Sequence, residues 1–189
     1  AGLFVAGDAA SRENVTGAIS GGGAINASWA MASGWWAGHG AASFAARRPG
    51  IDAGWLIPLG RTGLRGASSA RPVDIAAAAS RVHAEIAPLG KSYIRDAATL
   101  RQSRNAVDAV WQELHDHLEA TGRERLRARE LVAVTAASRA TLAAAALRTE
   151  SRGVHRRADF PGEVPGMARR IIVSGVQSVS APVSYTHLR

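Results

Sequence analysis

The run Val107-Asp108-Ala109-Val110-Trp111-Gln112-Glu113-Leu114-His115-Asp116-His117-Leu118 carries the clearest structural signal in this chain of 189 residues. Its large apolar residues recur at i, i+3, i+4, i+7 and i+11, which places them on one stripe of an α-helix. Gly122 follows at a position typical of the glycine that ends a helix. The run therefore predicts an amphipathic helix with one buried face.

The neighbouring sequence predicts two further helices. One should run from about Arg127 to Arg148, and an earlier one from about Val73 to Pro88. The inner face of the first of these is predicted to carry Leu131, Val134, Ser138, Leu142 and Ala145. Several long helices joined by short connections predict an antiparallel helical bundle over residues 72–161.

The remaining C-terminal sequence divides into two parts. Residues 162–183 are irregular apart from Arg170-Ile171-Ile172-Val173-Ser174, which reads as a short strand. Residues 184–189 resemble translated sequencing-adapter sequence, and we expect them not to belong to the gene product. The whole chain is thus predicted to be a mostly helical α+β protein.

The first 49 residues predict a different kind of structure. Leu3–Ala6 reads as a buried strand that delivers the Asp8 carboxylate at its tip, and Ser11–Gly23 reads as a polar, glycine-rich loop. A helix is predicted from Ala24 to about Phe44. Glycines that open a helix leave backbone N–H groups free to contact a ligand. A strand tip beside a helix start predicts a nucleotide or flavin site, with residues 50–71 as a linker to the bundle.

Composition excludes several function classes. There is no cysteine, so disulfides and thiolate metal sites are absent. The formal charge is +8, but Lys91 is the only lysine and aromatic residues do not alternate with the arginine clusters. Because nucleic-acid binders usually combine basic stripes with stacking aromatics, we expect no nucleic acid as partner. We also expect a cytoplasmic location, no transmembrane segment, and no metal site at His115 and His117, which point to different helix faces.

Three segments, taken in order, resemble the C-terminal part of the fumarate reductase/succinate dehydrogenase flavoprotein superfamily, which includes L-aspartate oxidase and adenylylsulfate reductase flavoprotein subunits. Gly2–Ala10 is similar to the family's G-L-[FY]-A-[AC]-G-[DE]-A strand, and Ser20–Gly38 to its glycine-rich loop and helix. Residues 148–161, Arg-Thr-Glu-Ser-Arg-Gly-Val-His-Arg-Arg-Ala-Asp-Phe-Pro, are close to its R-x-E-S-R-G-x-H-x-R-x-D-[FY]-P signature. On this resemblance residues 1–49 are the last piece of an FAD-binding, Rossmann-like domain.

The resemblance implies a cofactor and its contacts. Asp8 would accept a hydrogen bond from a ribityl hydroxyl of FAD, and the helix start would face the flavin ring. The cofactor-binding residues implied are Asp8, Gly22, Gly23, Ala24 and Ile25. The pyrophosphate-binding G-x-G-x-x-G motif is not in this sequence, so we expect the chain to be the last part of a larger enzyme whose catalytic acid and base lie elsewhere.

The resemblance also implies a reaction, with one departure. The family transfers hydride between a small-molecule substrate and flavin, and some members pass electrons to a partner protein. Where the dicarboxylate-handling members carry histidine and arginine, this sequence has Val15 and Ile19. Isoleucine cannot pair with a carboxylate. We therefore expect a substrate other than a standard C4-dicarboxylate.

Two alternatives to this function remain open. One is an adenylylsulfate reductase-like subunit with an iron–sulfur partner, and the other is a basic helical module that binds anionic partners. Within the signature run, Glu150, Arg152, His155 and Arg157 could form an acid–base cluster. We favour a structural role in which they tie the helical domain to the flavin domain.

Overall fold

A computed structural model describes residues 2–11, 23–47 and 73–181. The chain divides into two compact units, Ala1–Ile57 and Pro58–Arg189, and each is described by itself. The predicted linker at residues 50–71 lies outside the described residues. The predicted domain boundaries therefore stay predictions.

The described part of the first unit contains a short 3₁₀ turn, Gly7–Ala9, and a long helix α1, Gly23–Ala46. Gly7 adopts φ +59°, a left-handed conformation that glycine tolerates without strain. Its N–H donates to Ser33 Oγ at 2.9 Å, and its carbonyl accepts from Trp29 Nε1 at 2.9 Å. The turn is thereby fixed to the second and third turns of α1.

The predicted strand at Leu3–Ala6 does not form. Leu3 is 90% exposed and Val5 51% exposed, and in the described residues no strand pairs with this segment. A strand needs a neighbour for its backbone hydrogen bonds, and an apolar run alone does not provide one. The Rossmann-like part of the predicted fold stays a prediction.

Within its described residues, the second unit contains four α-helices. They are α2 (Ile75–Ile86), α3 (Leu89–Ser92), α4 (Ala97–His117) and α5 (Glu124–Leu147). Two aspartates begin two of them: Asp74 accepts from the Ala77 N–H and Asp96 from the Thr99 N–H, each at 2.9 Å. Such caps satisfy backbone donors that the first turn leaves unpaired.

The predicted stripe on α4 is confirmed. Val107, Val110, Trp111 and Leu114 are buried on this helix, and Leu118 is buried just beyond its end. The role predicted for Gly122 is wrong. The helix ends at His117, where Leu118 leaves helical geometry to enter the core, and Gly122 lies in the turn before α5 with φ +53°.

The inner face of α5 is more polar than its sequence suggests. Leu131, Ser138, Leu142 and Ala145 are buried as predicted, but Val134 is 48% exposed. Thr135 and Arg139 take inner positions instead. Thr135 Oγ1 donates to the Leu131 carbonyl at 2.7 Å, which satisfies a hydroxyl that burial would otherwise leave without a partner.

Two short strands form a parallel pair, β1 (Ile94–Arg95) with β2 (Arg156–Arg157). The predicted strand at Arg170–Ser174 is wrong: only Ser174 is bridged, to Ser180. This segment has no further strand beside it among the described residues. Arg139 contacts the loop that follows this segment, where its Nη1 donates to the Val176 carbonyl at 2.6 Å.

The described chain is thus mostly helical with a small two-stranded parallel sheet. The antiparallel order of the bundle stays a prediction. Among the described helices one, α5, is long and apolar enough by length and composition to cross a membrane, contrary to the expectation from the sequence. The core helices of soluble proteins meet the same two criteria, and 39% of the relevant stretch of α5 is buried in this unit.

Candidate functional site

The predicted flavin-contacting residues lie on the first unit. Asp8 is exposed on the 3₁₀ turn, and its carboxylate has no hydrogen-bond partner within the described residues. Gly23 begins α1, followed by Ala24 and Ile25 in its first turn. Gly22 lies outside the described residues, as do Val15 and Ile19. The contacts of the turn reach Trp29 and Ser33, so the described structure does not join Asp8 to the helix start, and the flavin site stays a prediction.

The signature run in the second unit is centred on a buried carboxylate, Glu150, whose side chain has no exposed surface. Its Oε1 accepts from Arg148 Nη1 at 2.7 Å and from Arg152 Nε at 2.9 Å. Its Oε2 accepts from Arg152 Nη2 at 3.0 Å and from the Val164 N–H at 2.7 Å. Burial alone would raise the pKa of Glu150, but these hydrogen bonds and the charge of Arg152 lower it to about 2.

A second buried group, the guanidinium of Arg157, connects two helix ends. Its Nη1 donates to the carbonyls of Ala145 and Arg148, at the C-terminal end of α5. Its Nε and Nη2 each donate to one oxygen of Asp159 at 2.8 Å. Asp159 Oδ2 also accepts from the Ala97 N–H at the start of α4. Arg157 and Asp159 together thus provide hydrogen-bond partners for carbonyls at the end of α5 and for an N–H at the start of α4.

His155 lies between arginines. Its Nε2 is 3.2 Å from the Arg148 carbonyl, so this nitrogen carries the proton, and Nδ1 accepts from Arg95 Nη1 at 2.9 Å. Burial lowers the pKa of His155, the bond to the carbonyl opposes this, and the charges of Arg95, Arg148 and Arg157 lower it further. The ring is therefore neutral and fixed in one tautomer.

Comparison with known proteins identifies the family to which these residues are similar. Residues 90–170 match the family described as "Fumarate reductase flavoprotein C-term". Residues 90–170 are similar to the C-terminal domain of fumarate reductase flavoproteins. The matched residues include both strands, α4, α5 and the whole buried network, and the resemblance noted from the sequence is confirmed.

Similar proteins match only part of this chain, and the chain matches only part of each of them. L-aspartate oxidases of Mycobacterium bovis and of Mycobacterium tuberculosis are 48% identical over 52 residues, which is 28% of this chain and 10% of theirs. The "Mycobacterium smegmatis Sdh1 complex in the apo form" is 18% identical with a TM-score of 0.45, covering 67% of this chain and 23% of that one. The matched stretch therefore spans a tenth of the length of the curated relatives.

The geometry of the flavoprotein C-terminal domain favours structure over acid–base chemistry. Glu150 and Asp159 each accept from arginines, and both ring nitrogens of His155 are in hydrogen bonds. A general acid or base needs a proton position free to exchange with substrate. The contacts described for these residues join α4 to α5 inside the second unit, and the predicted tie to the flavin domain stays a prediction.

The carboxylates of this network make the stability of the domain depend on pH. The folded pKa values of Glu150 and Asp159, about 2, lie below their ordinary values of 4.5 and 3.8. Their stabilisation is therefore complete above about pH 5 and is lost as the pH falls towards 2. For Glu150 this amounts to about 3 kcal/mol. Urea unfolding over this pH range should show the loss of stability. The Glu150→Gln variant should lose less stability on acidification, because only Asp159 then contributes. Equal stability of the unaltered protein at pH 5 and pH 3 would contradict the assignment.

Two arginines of the second unit carried no recognisable sequence signal. Arg95 follows no motif, yet its guanidinium contacts His155 and its Nε is buried without a partner in the described part of the chain. Arg139 is 8% exposed and its guanidinium lies 4.6 Å from the centre of the Trp111 ring. An arginine inside a helical run is normally assigned to the surface, and only its tertiary partners place it inside.

Proposed function

We propose that this chain is the C-terminal part of an FAD-dependent oxidoreductase that transfers hydride between a small substrate and flavin. The observation that carries the proposal is the match of residues 90–170 to the flavoprotein C-terminal family. Within these residues of this chain, the side chains of Glu150 and Arg157 have complete sets of hydrogen-bond partners. In this function the helical unit is a rigid support. The reacting groups belong to other parts of the protein.

The first unit fits the cofactor at two points. The Asp8 carboxylate is exposed with no partner among the described residues, which suits an acceptor for a sugar hydroxyl. Gly23 begins α1, so the backbone donors at this helix end are free of an intrahelical partner. The residues proposed to hold FAD are Asp8, Gly22, Gly23, Ala24 and Ile25. When bound, FAD would supply the hydride acceptor.

The substrate is proposed from two observations that point in different directions. Similarity to proteins named L-aspartate oxidase favours L-aspartate as a candidate. Ile19, at the position where dicarboxylate-handling members carry arginine, favours a substrate without a second carboxylate. We prefer the second because isoleucine offers no hydrogen bond to an anion. An activity panel of succinate, fumarate, L-aspartate and uncharged analogues separates the two.

Two further functions are kept as alternatives. An adenylylsulfate reductase-like subunit would require an electron-transfer partner protein, and an iron–sulfur gene beside the coding sequence would favour it. A basic helical module for anionic partners follows from the charge of +8. A cytoplasmic location belongs to the same proposal as the oxidoreductase function.

We expect the 189-residue protein to purify with little or no FAD and to show no turnover. Asp8 and one helix start leave most of the cofactor without contacts, because the pyrophosphate-binding motif is not in this sequence. Flavin absorbance per mole of protein is the measurement. A yellow protein with one FAD per chain would contradict this expectation.

The function itself is tested on the longest in-frame product obtained from DNA upstream of the codon for Ala1. Its sequence should contain a strand–G-x-G-x-x-G–helix motif. The purified product should retain FAD. Asp8→Ala should reduce flavin retention, whereas Asp116→Ala, which removes an exposed carboxylate of α4, should not. A longer product without flavin would rule out the oxidoreductase proposal.

A further inference from the structure

A large apolar groove lies between α2 and the N-terminal half of α5, away from the Glu150 network. It encloses about 1030 Å³. Its lining includes Val73, Ile75, Val82, Ile86, Leu131 and Val134. Val82 and Leu131 belong to the buried core, whereas Val134 is 48% exposed. The groove is thus a continuation of the core that opens to the surface.

The rim of this groove is acidic in a chain that is otherwise strongly basic. Four carboxylates line it, against one arginine, Arg127, and one histidine, His83; the carboxylates are those of Asp74, Glu119, Glu124 and Glu130. Asp74 accepts the Ala77 N–H as a helix cap. Within the described residues Glu119, Glu124 and Glu130 form no ion pair, although the chain as a whole carries a net charge of +8.

We propose that this groove binds an amphipathic helix of a partner protein, with an apolar face and basic residues on its flanks. The apolar floor supplies the burial, and the unpaired carboxylates supply charge complementarity that selects a cationic partner. The groove follows α2, whose 12 residues span about 18 Å, so it accommodates about three turns of helix. A second copy of this chain that docked through the same groove would be a poorer occupant, because the acidic rims of the two copies would repel each other.

The test uses the complete 189-residue protein and a labelled helical peptide of about four turns, with leucines at i, i+3, i+4 and i+7 and arginines beside them. A second peptide carries glutamates in place of the arginines. Fluorescence anisotropy at low salt measures both dissociation constants. The arginine peptide should bind, and the glutamate peptide should bind at least about tenfold more weakly.

Two double variants with the same change in net charge locate the site. Glu124→Gln with Glu130→Gln should weaken arginine-peptide binding by about tenfold, since both carboxylates are exposed on the rim. Ala137→Lys with Thr141→Lys adds the same two units of positive charge on α5 outside the groove and should change binding less than about twofold. Both pairs are exposed, and circular dichroism checks that each variant stays folded.

Four results would overturn the proposal. These are no binding of the arginine peptide, equal binding of both peptides, and equal weakening by the two double variants. The fourth is a dimer in sedimentation that the Glu124→Gln, Glu130→Gln variant abolishes, because a second copy would then occupy the groove. None of these outcomes depends on flavin, so the oxidoreductase proposal stands or falls separately.

Discussion

Replacing Glu150 with alanine is expected to destabilise the helical unit by about 3–5 kcal/mol, the cost of breaking a buried ion pair by removing one partner. The change removes one acceptor from each of the guanidinium groups of Arg148 and Arg152 and the acceptor of the Val164 N–H. Urea unfolding followed by far-UV circular dichroism at neutral pH measures the effect.

Glu163→Ala is the matched control for this experiment. Glu163 also pairs with Arg152, at 2.9 Å, but its side chain is 59% exposed. Its removal should therefore cost less than about 1 kcal/mol. If the two alanine variants lose the same stability, Glu150 is not the centre of the network, and the burial argument fails.

Replacing Arg157 with lysine should destabilise the same unit by about 3 kcal/mol even though the charge is kept. The guanidinium makes two parallel bonds to Asp159 and two more to the carbonyls of Ala145 and Arg148. A single ammonium group cannot reach all four acceptors from one position. The Ala145 carbonyl then loses its donor in a buried place, whereas the Arg148 carbonyl keeps its bond to His155. Thermal and urea unfolding of the purified variant measure the loss.

Arg156→Lys provides the comparison for Arg157. Arg156 is the neighbouring residue on β2 and its side chain is exposed. We expect a change within about 0.5 kcal/mol, as for most surface substitutions. A similar small change in Arg157→Lys would mean that charge alone, rather than the shape of the guanidinium, holds the two helix ends.

The sequence predicted the helical unit well where apolar spacing carried the signal. The stripe from Val107 to Leu118 is buried as expected, because a period of 3.6 residues identifies a helix face without knowledge of its partner. The inner face of α5 was predicted less well. Thr135 and Arg139 are buried because each has a specific hydrogen-bond partner, and such partners do not appear in a hydropathy pattern.

The network itself shows why a site is harder to predict than a helix. Glu150 and its two arginine partners are close in the sequence, and their association could be anticipated from the signature run. The contact of Asp159 with the Ala97 N–H joins residues 62 positions apart, which only the packing of α4 against α5 brings together. The strand expected at Leu3–Ala6 does not form, for a related reason. A strand requires a neighbouring strand for its backbone hydrogen bonds, and an apolar run alone does not indicate one.

The paired arginines and carboxylates of residues 148–159 have one further consequence. Each bonds within its own unit, so the described contacts of the run serve to join these two helices. The residues that stabilise the fold are thus distinct from residues that would carry chemistry. A change within residues 148–161 is therefore expected to act first on the stability of the helical unit.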